Sequence, residues 1–284
     1  MNDRRIAFAV VVLLGSMQVD FLSAQTNETP HPLLRADSAV QPQKVMQLFN
    51  GKDFEGLYHY HQETKYEDPR GVFSVQDGMI RMSGDGNGYV ATKQAYKNYR
   101  LLVEYKWGAR PEKAKYVRNS GILLHGVGPD GANSGGWMTT IECQLAQGCN
   151  GDFILIRGKD EQGQVIRNTI TAEVELGPDK RPRWKPGGEK TVYSGRQFWW
   201  SKHDPTFKEL IDTRGKDDVE SPLGEWTRVE CVCRNDRITV SINGVAVNEC
   251  FDVKPAGGKI LLQCEGFEIF FRKFELHPLP ESTP

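Results

Sequence analysis

The chain predicts an all-β domain, and three observations predict it: short runs in which apolar and polar residues alternate, Asx-Gly turns between such runs, and a meander in the C-terminal third. The clearest run is Leu101-Leu102-Val103-Glu104-Tyr105-Lys106-Trp107, where Leu101, Val103, Tyr105 and Trp107 face one way and Glu104 and Lys106 the other. Asp77-Gly78 separates Val72-Phe73-Ser74-Val75 from Met79-Ile80-Arg81-Met82, and Asn243-Gly244 separates Ile238-Thr239-Val240-Ser241-Ile242 from Val245-Ala246-Val247. Such dipeptides suit hairpin turns because both residues accept a positive φ.

At 284 residues the chain fits one large β domain after removal of its N-terminal segment. That segment carries Arg4 and Arg5, the apolar run Ile6 to Leu14, and the small residues Ser23-Ala24. It reads as a cleavable secretory signal over 1–24, too short to span a bilayer, which takes about 20 apolar residues. The expected location is therefore the periplasm or the exterior. Residues 25–44, with Pro30, Pro32 and Pro42, read as a linker, and the domain is expected over 45–280. With 36 basic and 37 acidic residues, the net charge of -1 gives no general attraction to nucleic acid. The oligomeric state is not encoded legibly.

Six cysteines in an exported chain make disulfides plausible, with Cys143 and Cys149 able to close a short loop; the alternative is buried free thiols. Cys231 and Cys233 point the same way along one strand and should not pair with each other. No CxxC pair accompanies spaced histidines, so zinc is not indicated by spacing. A divalent cation held through carboxylates and water stays open, and no cofactor is required.

The chemistry concentrates on two stretches, Arg118 to His125 and Thr139 to Leu145. Alternation puts Thr140, Glu142 and Gln144 on one face of their strand, opposite Ile141, Cys143 and Leu145. In the other stretch it puts Asn119, Gly121, Leu123 and His125 opposite Ser120, Ile122 and Leu124. Neighbouring strands would bring Glu142, Gln144, Asn119 and His125 to one open sheet face; the plainer alternative is a half-solvated antiparallel sheet. Gln263 and Glu265 share a face in the same way. Residues 177–217 look irregular and read as a long insertion, a source of a substrate lid through Trp199, Trp200 and His203, since indole rings stack on pyranoses.

These stretches resemble the 3-keto-disaccharide hydrolase domain family of exported bacterial proteins. The resemblance rests on Leu48-Phe49-Asn50-Gly51-Lys52-Asp53, Asn119-Ser120-Gly121-Ile122, Glu142-Cys143-Gln144, Gly224-Glu225-Trp226-Thr227, Ile242-Asn243-Gly244 and Leu262-Gln263-Cys264-Glu265-Gly266 with Phe271-Arg272. It implies a concanavalin A-like β-sandwich or jelly roll of antiparallel sheets and long loops, a carbohydrate bound on a concave sheet, and cleavage of 3-keto glycosides. A C3 ketone acidifies the C2 hydrogen, so the glycosidic bond can leave by elimination, with water added afterwards. The expected roles are Glu142 as base, His125 or Glu265 as acid, Asn119, Gln144 and Gln263 as donors to hydroxyls or the enolate, and Arg118 or Arg272 as the steadying cation. The alternatives are a non-catalytic carbohydrate-binding module and direct hydrolysis by Glu142 with Glu265 or Asp152.

Overall fold

The computed structural model describes residues 39–109, 111, 114–195, 197–198 and 202–280. The expected signal segment, most of the expected linker, Trp199 and Trp200 lie outside the described residues. In chain order the strands are β1 (Met46–Gln47), β2 (Leu57–His61), β3 (Phe73–Gln76), β4 (Met79–Met82), β5 (Asn87–Thr92) and β6 (Tyr99–Trp107). They continue as β7 (Gly121–Val127), β8 (Thr139–Gln144), β9 (Phe153–Ile156), β10 (Thr169–Leu176), β11 (Pro182–Trp184) and β12 (Glu189–Tyr193). The remainder are β13 (Gln197–Phe198), β14 (Thr227–Arg234), β15 (Arg237–Ile242), β16 (Val245–Lys254), β17 (Lys259–Glu265) and β18 (Ile269–Pro278), with no helix among the described residues.

Two antiparallel sheets stack face to face, as the all-β sandwich expectation required. The larger runs β11-β10-β16-β15-β14-β6-β18-β4-β3, with β12 on β10 and β1 on β18; the smaller runs β13-β9-β8-β7-β17-β5-β2. The main core lies between them. Leu101, Val103, Tyr105, Cys231, Val240 and Phe271 of the larger sheet pack in one cluster with Val90, Ile122, Leu124, Ile141, Phe153 and Leu262 of the smaller. Each set occupies alternate positions of its strand, so the pleat itself sorts these residues inward. The hairpins close where the dipeptides demand: Asp77 and Gly78 have φ of 51° and 75°, Asn243 and Gly244 of 49° and 80°, the signs a two-residue type I′ turn needs.

Ahead of residue 45 the Val40 amide donates to the Ala95 carbonyl at 2.9 Å, and the Val40 carbonyl accepts from the Lys97 amide at 3.0 Å. Two expectations are corrected. The stretch 177–217 is not wholly irregular, because β11, β12 and β13 extend both sheets from within it. All six cysteines are free and buried. Cys143 and Cys149 cannot close the expected loop, since Cys143 points into the inter-sheet core while Cys149 packs with Val117 and Ala146.

Phe271 is fully buried where the sheets meet. Phe271→Ala should lower the free energy of unfolding by about 3–5 kcal/mol, seen as a fall in the urea midpoint at unchanged slope.

Candidate functional site

The outer face of the smaller sheet is divided. Toward β2 and β5 it is apolar and aromatic, with Tyr60, Tyr89, Leu123, Leu261 and Ile156 under Met138 and Trp137 of the loop before β8. Near Asn119 and the ends of β8 and β17 it is polar, and there it hollows into a cleft of about 440 Å³ lined by Asn119, Glu142, Gln144, Gln263 and Glu265, with Trp137, Arg157 and Asn133 among its walls. The volume is in the range of about 300–1,000 Å³ common to small-molecule sites.

Register explains the convergence. Leu123 pairs with Glu142 across β7 and β8, and Glu142 with Ile154 across β8 and β9, so Glu142 shares the outer face with these residues. Gly121 pairs with Gln144. A Cβ at Gly121 would stand 2.4 Å from Glu142 Oε1 and 3.0 Å from Gln263 Oε1. The missing side chain is therefore the space in which the carboxyl of β8 and the amide of β17 meet. The Ser120 hydroxyl donates to the Gln263 carbonyl at 2.7 Å and fixes the start of β7 against β17.

Hydrogen bonds orient the group. Asn119 Nδ2 donates to Glu265 Oε2 at 2.8 Å. With its amide nitrogen turned toward the acceptors it meets, Gln144 donates to Glu142 Oε1 at 2.8 Å and to the Ser120 carbonyl at 2.9 Å. Gln263 Oε1 is buried without a hydrogen-bond partner, an acceptor awaiting a donor in the cleft. Burial, then the charge of Glu265, holds the Glu142 carboxyl well above the usual carboxylate range. Burial alone pushes Glu265 up to about 7. Both shifts have the sign expected of carboxylates removed from water.

Not every residue expected from the sequence joins this cluster. His125 does not, because alternation fails at it: a bulge interrupts β7 between Leu124 and Val127, His125 has φ of 55°, and its ring stands edge-on to Tyr99 of the core. Its Nδ1 lies 2.9 Å from the Pro255 carbonyl, and burial lowers its pKa to about 4. Arg118 turns away: its Nε donates to Asp212 at 2.9 Å, and Nη1 to the Gly108 and Ala109 carbonyls at 3.2 Å each. Arg272 belongs to the larger sheet, where Nε donates to Glu104 at 2.6 Å and the guanidinium covers Trp226. His203 is buried beside Asp152, Nδ1 to Oδ2 at 3.3 Å. Asp152 lies at the β8–β9 turn, its carbonyl accepting from the Gln144 amide at 2.9 Å.

Three polar or aromatic residues of the cleft escaped the sequence reading. Trp137 follows a loop of turn residues, with its ring half-buried and 6.4 Å from that of Tyr89. Arg157 lies one residue beyond β9 and donates to the Ser194 carbonyl at 2.9 Å, and Asn133 donates to the Arg157 carbonyl at 2.7 Å. The one available signal was position, an aromatic and a cation each flanking a strand of the expected polar face.

Residues 44–277 match the family described as the 3-keto-alpha-glucoside-1,2-lyase-like domain, and the chain belongs to that family. No curated protein matches it. Among solved structures it is similar to a Parabacteroides distasonis protein provisionally described as a glycosyl hydrolase, at 19% identity and TM-score 0.48, covering 84% of this chain and 94% of that one. It is also similar to the carbohydrate-binding module CBM66 of Bacillus subtilis, at 7% identity and TM-score 0.43, with 78% and 94% covered. A Bacillus subtilis protein of unknown function with a galectin-like fold matches at 11% identity and TM-score 0.44, with 83% and 94% covered.

The raised carboxyls make stability depend on pH. Between pH 4.5 and about 7 Glu265 keeps its proton when folded and releases it when unfolded, so stability is fullest below that window and falls as pH rises through it. Glu220, pushed up to about 7 by burial, moves the same way, while His125, lowered to about 4 by burial, opposes both up to pH 6.5 because only the unfolded chain then binds its proton; the two carboxyls outweigh the one imidazole. The urea midpoint should fall from pH 4.5 to pH 8, and Glu265→Gln should make that decline shallower by on the order of 2–3 kcal/mol.

Proposed function

We propose that the protein cleaves 3-keto glycosides by removing the C2 proton and eliminating the group on O1, then adding water. The observation that carries this reading is that two carboxyls share one cleft, Glu142 buried and Glu265 partly buried, both raised above the usual carboxylate range by removal from water. Family membership supports a carbohydrate as the substrate and a keto sugar in particular. The N-terminal apolar run motivates placing the protein outside the cytoplasm.

Burial supports exchanging the roles expected from sequence. Glu142 is the more deeply buried, and the neighbouring charge of Glu265 further favours its protonated form, so we assign Glu142 as the acid and the less enclosed Glu265 as the base. In the first step Glu265 takes the C2 proton and the C2–H electrons enter the C2–C3 bond, forming an enolate on O3. In the second, the enolate collapses, a C1–C2 double bond forms, the C1–O1 bond breaks, and Glu142 donates its proton to the departing oxygen. Water then adds at C1 while a proton returns to C2, giving the free 3-keto sugar. Among the described residues Arg157 is the cation that lines the cleft, in place of the expected Arg118 and Arg272, and the amides of Asn119 and Gln144 are already oriented there. Trp137 supplies the flat apolar wall on which a pyranose can lie.

The test is release of the leaving group from a 3-keto glucoside and from its unoxidised parent. The expected outcome is turnover of the keto compound alone, with kcat/KM rising as the carboxyl pair ionises with an apparent pKa of about 7. Glu142→Gln and Glu265→Gln should each reduce kcat by roughly 10²–10⁴-fold with an unchanged circular dichroism spectrum. Saturable binding without release from either sugar would replace the enzyme with a binding module. Release from both would replace elimination with direct hydrolysis.

A further inference from the structure

Beside the cleft, Cys149, Asp152 and His203 are all buried, with one ligand-type atom from each lying within 4.8 Å of the others. We infer that these three side chains bind a divalent cation of borderline softness, zinc in the first instance, with water completing a four-coordinate shell. A thiolate, an imidazole and a carboxylate form a donor set that suits zinc. Ligands about 2.0–2.3 Å from a tetrahedral centre lie roughly 3.3–3.8 Å from one another. The present separations therefore close on an ion by shifts of an ångström or less in side chains already gathered around a common point.

Both backbone segments are held for the purpose. Cys149 and Asp152 are three apart in the β8–β9 turn, and the Asp152 amide donates to the Cys149 carbonyl at 3.1 Å. That turn requires Gly151, whose φ is +87° and whose added Cβ would strike Val247 at 2.5 Å. On the other side, Arg183 Nε donates to the His203 carbonyl at 2.9 Å, and Arg183 is itself fixed by Asp179 at 2.7 Å. Supporting contacts of this kind orient ligands before the metal arrives. Asp152 is fully buried and His203 is 4% exposed, and a dication held there offsets the charge of a carboxylate removed from water.

Coordination forms the metal–sulfur bond as the Cys149 thiol releases its proton to solvent, and His203 binds as neutral imidazole. No oxidant or reductant is involved. The ion would tie the loop carrying His203 to the turn whose Asp152 carbonyl accepts from the backbone amide of the cleft residue Gln144. The bland alternative is a His203–Asp152 ion pair with Cys149 as a packing bystander, and the decisive difference is metal–sulfur bonding.

The protein freed of metal by chelation is titrated with Co²⁺ and followed by absorption. The expected result is saturation at one ion per chain, with the near-ultraviolet thiolate-to-cobalt band, displaced by Zn²⁺. Cys149→Ser should abolish that band, and His203→Gln should weaken binding by about 10–100-fold or more. X-ray absorption of the zinc-loaded unaltered protein gives a measure independent of whether the variants fold, and should show one sulfur and otherwise nitrogen or oxygen neighbours. Absence of binding, a zinc shell with no sulfur, or a thiolate band that survives in folded Cys149→Ser would overturn the assignment.

Discussion

The site depends on one constraint: a β-strand has only two faces, and in the smaller sheet the inner face is wholly committed to the core. Ile122, Cys143, Leu262 and Cys264 point inward, so Glu142, Gln263 and Glu265 must point outward together. What would otherwise be an exposed polar surface becomes a cleft because walls rise around it, from Trp137 on one side to Arg157 on another. Removing water from those carboxyls is what raises their proton affinity.

The proposed division of roles between the two carboxyls rests on their different surroundings. Glu142 stands over Gly121 and is almost wholly enclosed, with one oxygen accepting from Gln144; Glu265 lies at the end of β17 and is less enclosed. The gap at Gly121 thus decides both where the Glu142 carboxyl sits and how far it is withdrawn from solvent. Burial costs folding free energy as pH rises, a cost characteristic of sites organised for proton transfer rather than for stability.

Much of this was legible in the chain. Period-two alternation identified the shared face of Leu101, Val103, Tyr105 and Trp107 on β6, the common direction of Cys231 and Cys233 on β14, and the outward set Glu142, Gln144, Gln263 and Glu265, because each lies in a regular strand. His125 was misplaced because a bulge is invisible to alternation: one residue at positive φ moves the ring to the core side. Arg118 and Arg272 look available as cations in sequence, but their partners, Asp212 and Glu104, come from distant segments. Trp137 and Arg157 lie just outside strands, where no periodicity marks them. Cys149, Asp152 and His203 could not be joined by spacing, since the histidine arrives from a loop some fifty residues further along.

The central claim is that the C2 hydrogen leaves during cleavage. The most direct test is to turn over a 3-keto glucoside in deuterium oxide and read C2 of the released sugar by nuclear magnetic resonance, alongside the rate for substrate deuterated at C2. The account predicts deuterium at C2 of the product, introduced faster than in enzyme-free solution, and slower turnover of the C2-deuterated substrate. A product that retains its original C2 hydrogen throughout, formed at the same rate from both substrates, would contradict it.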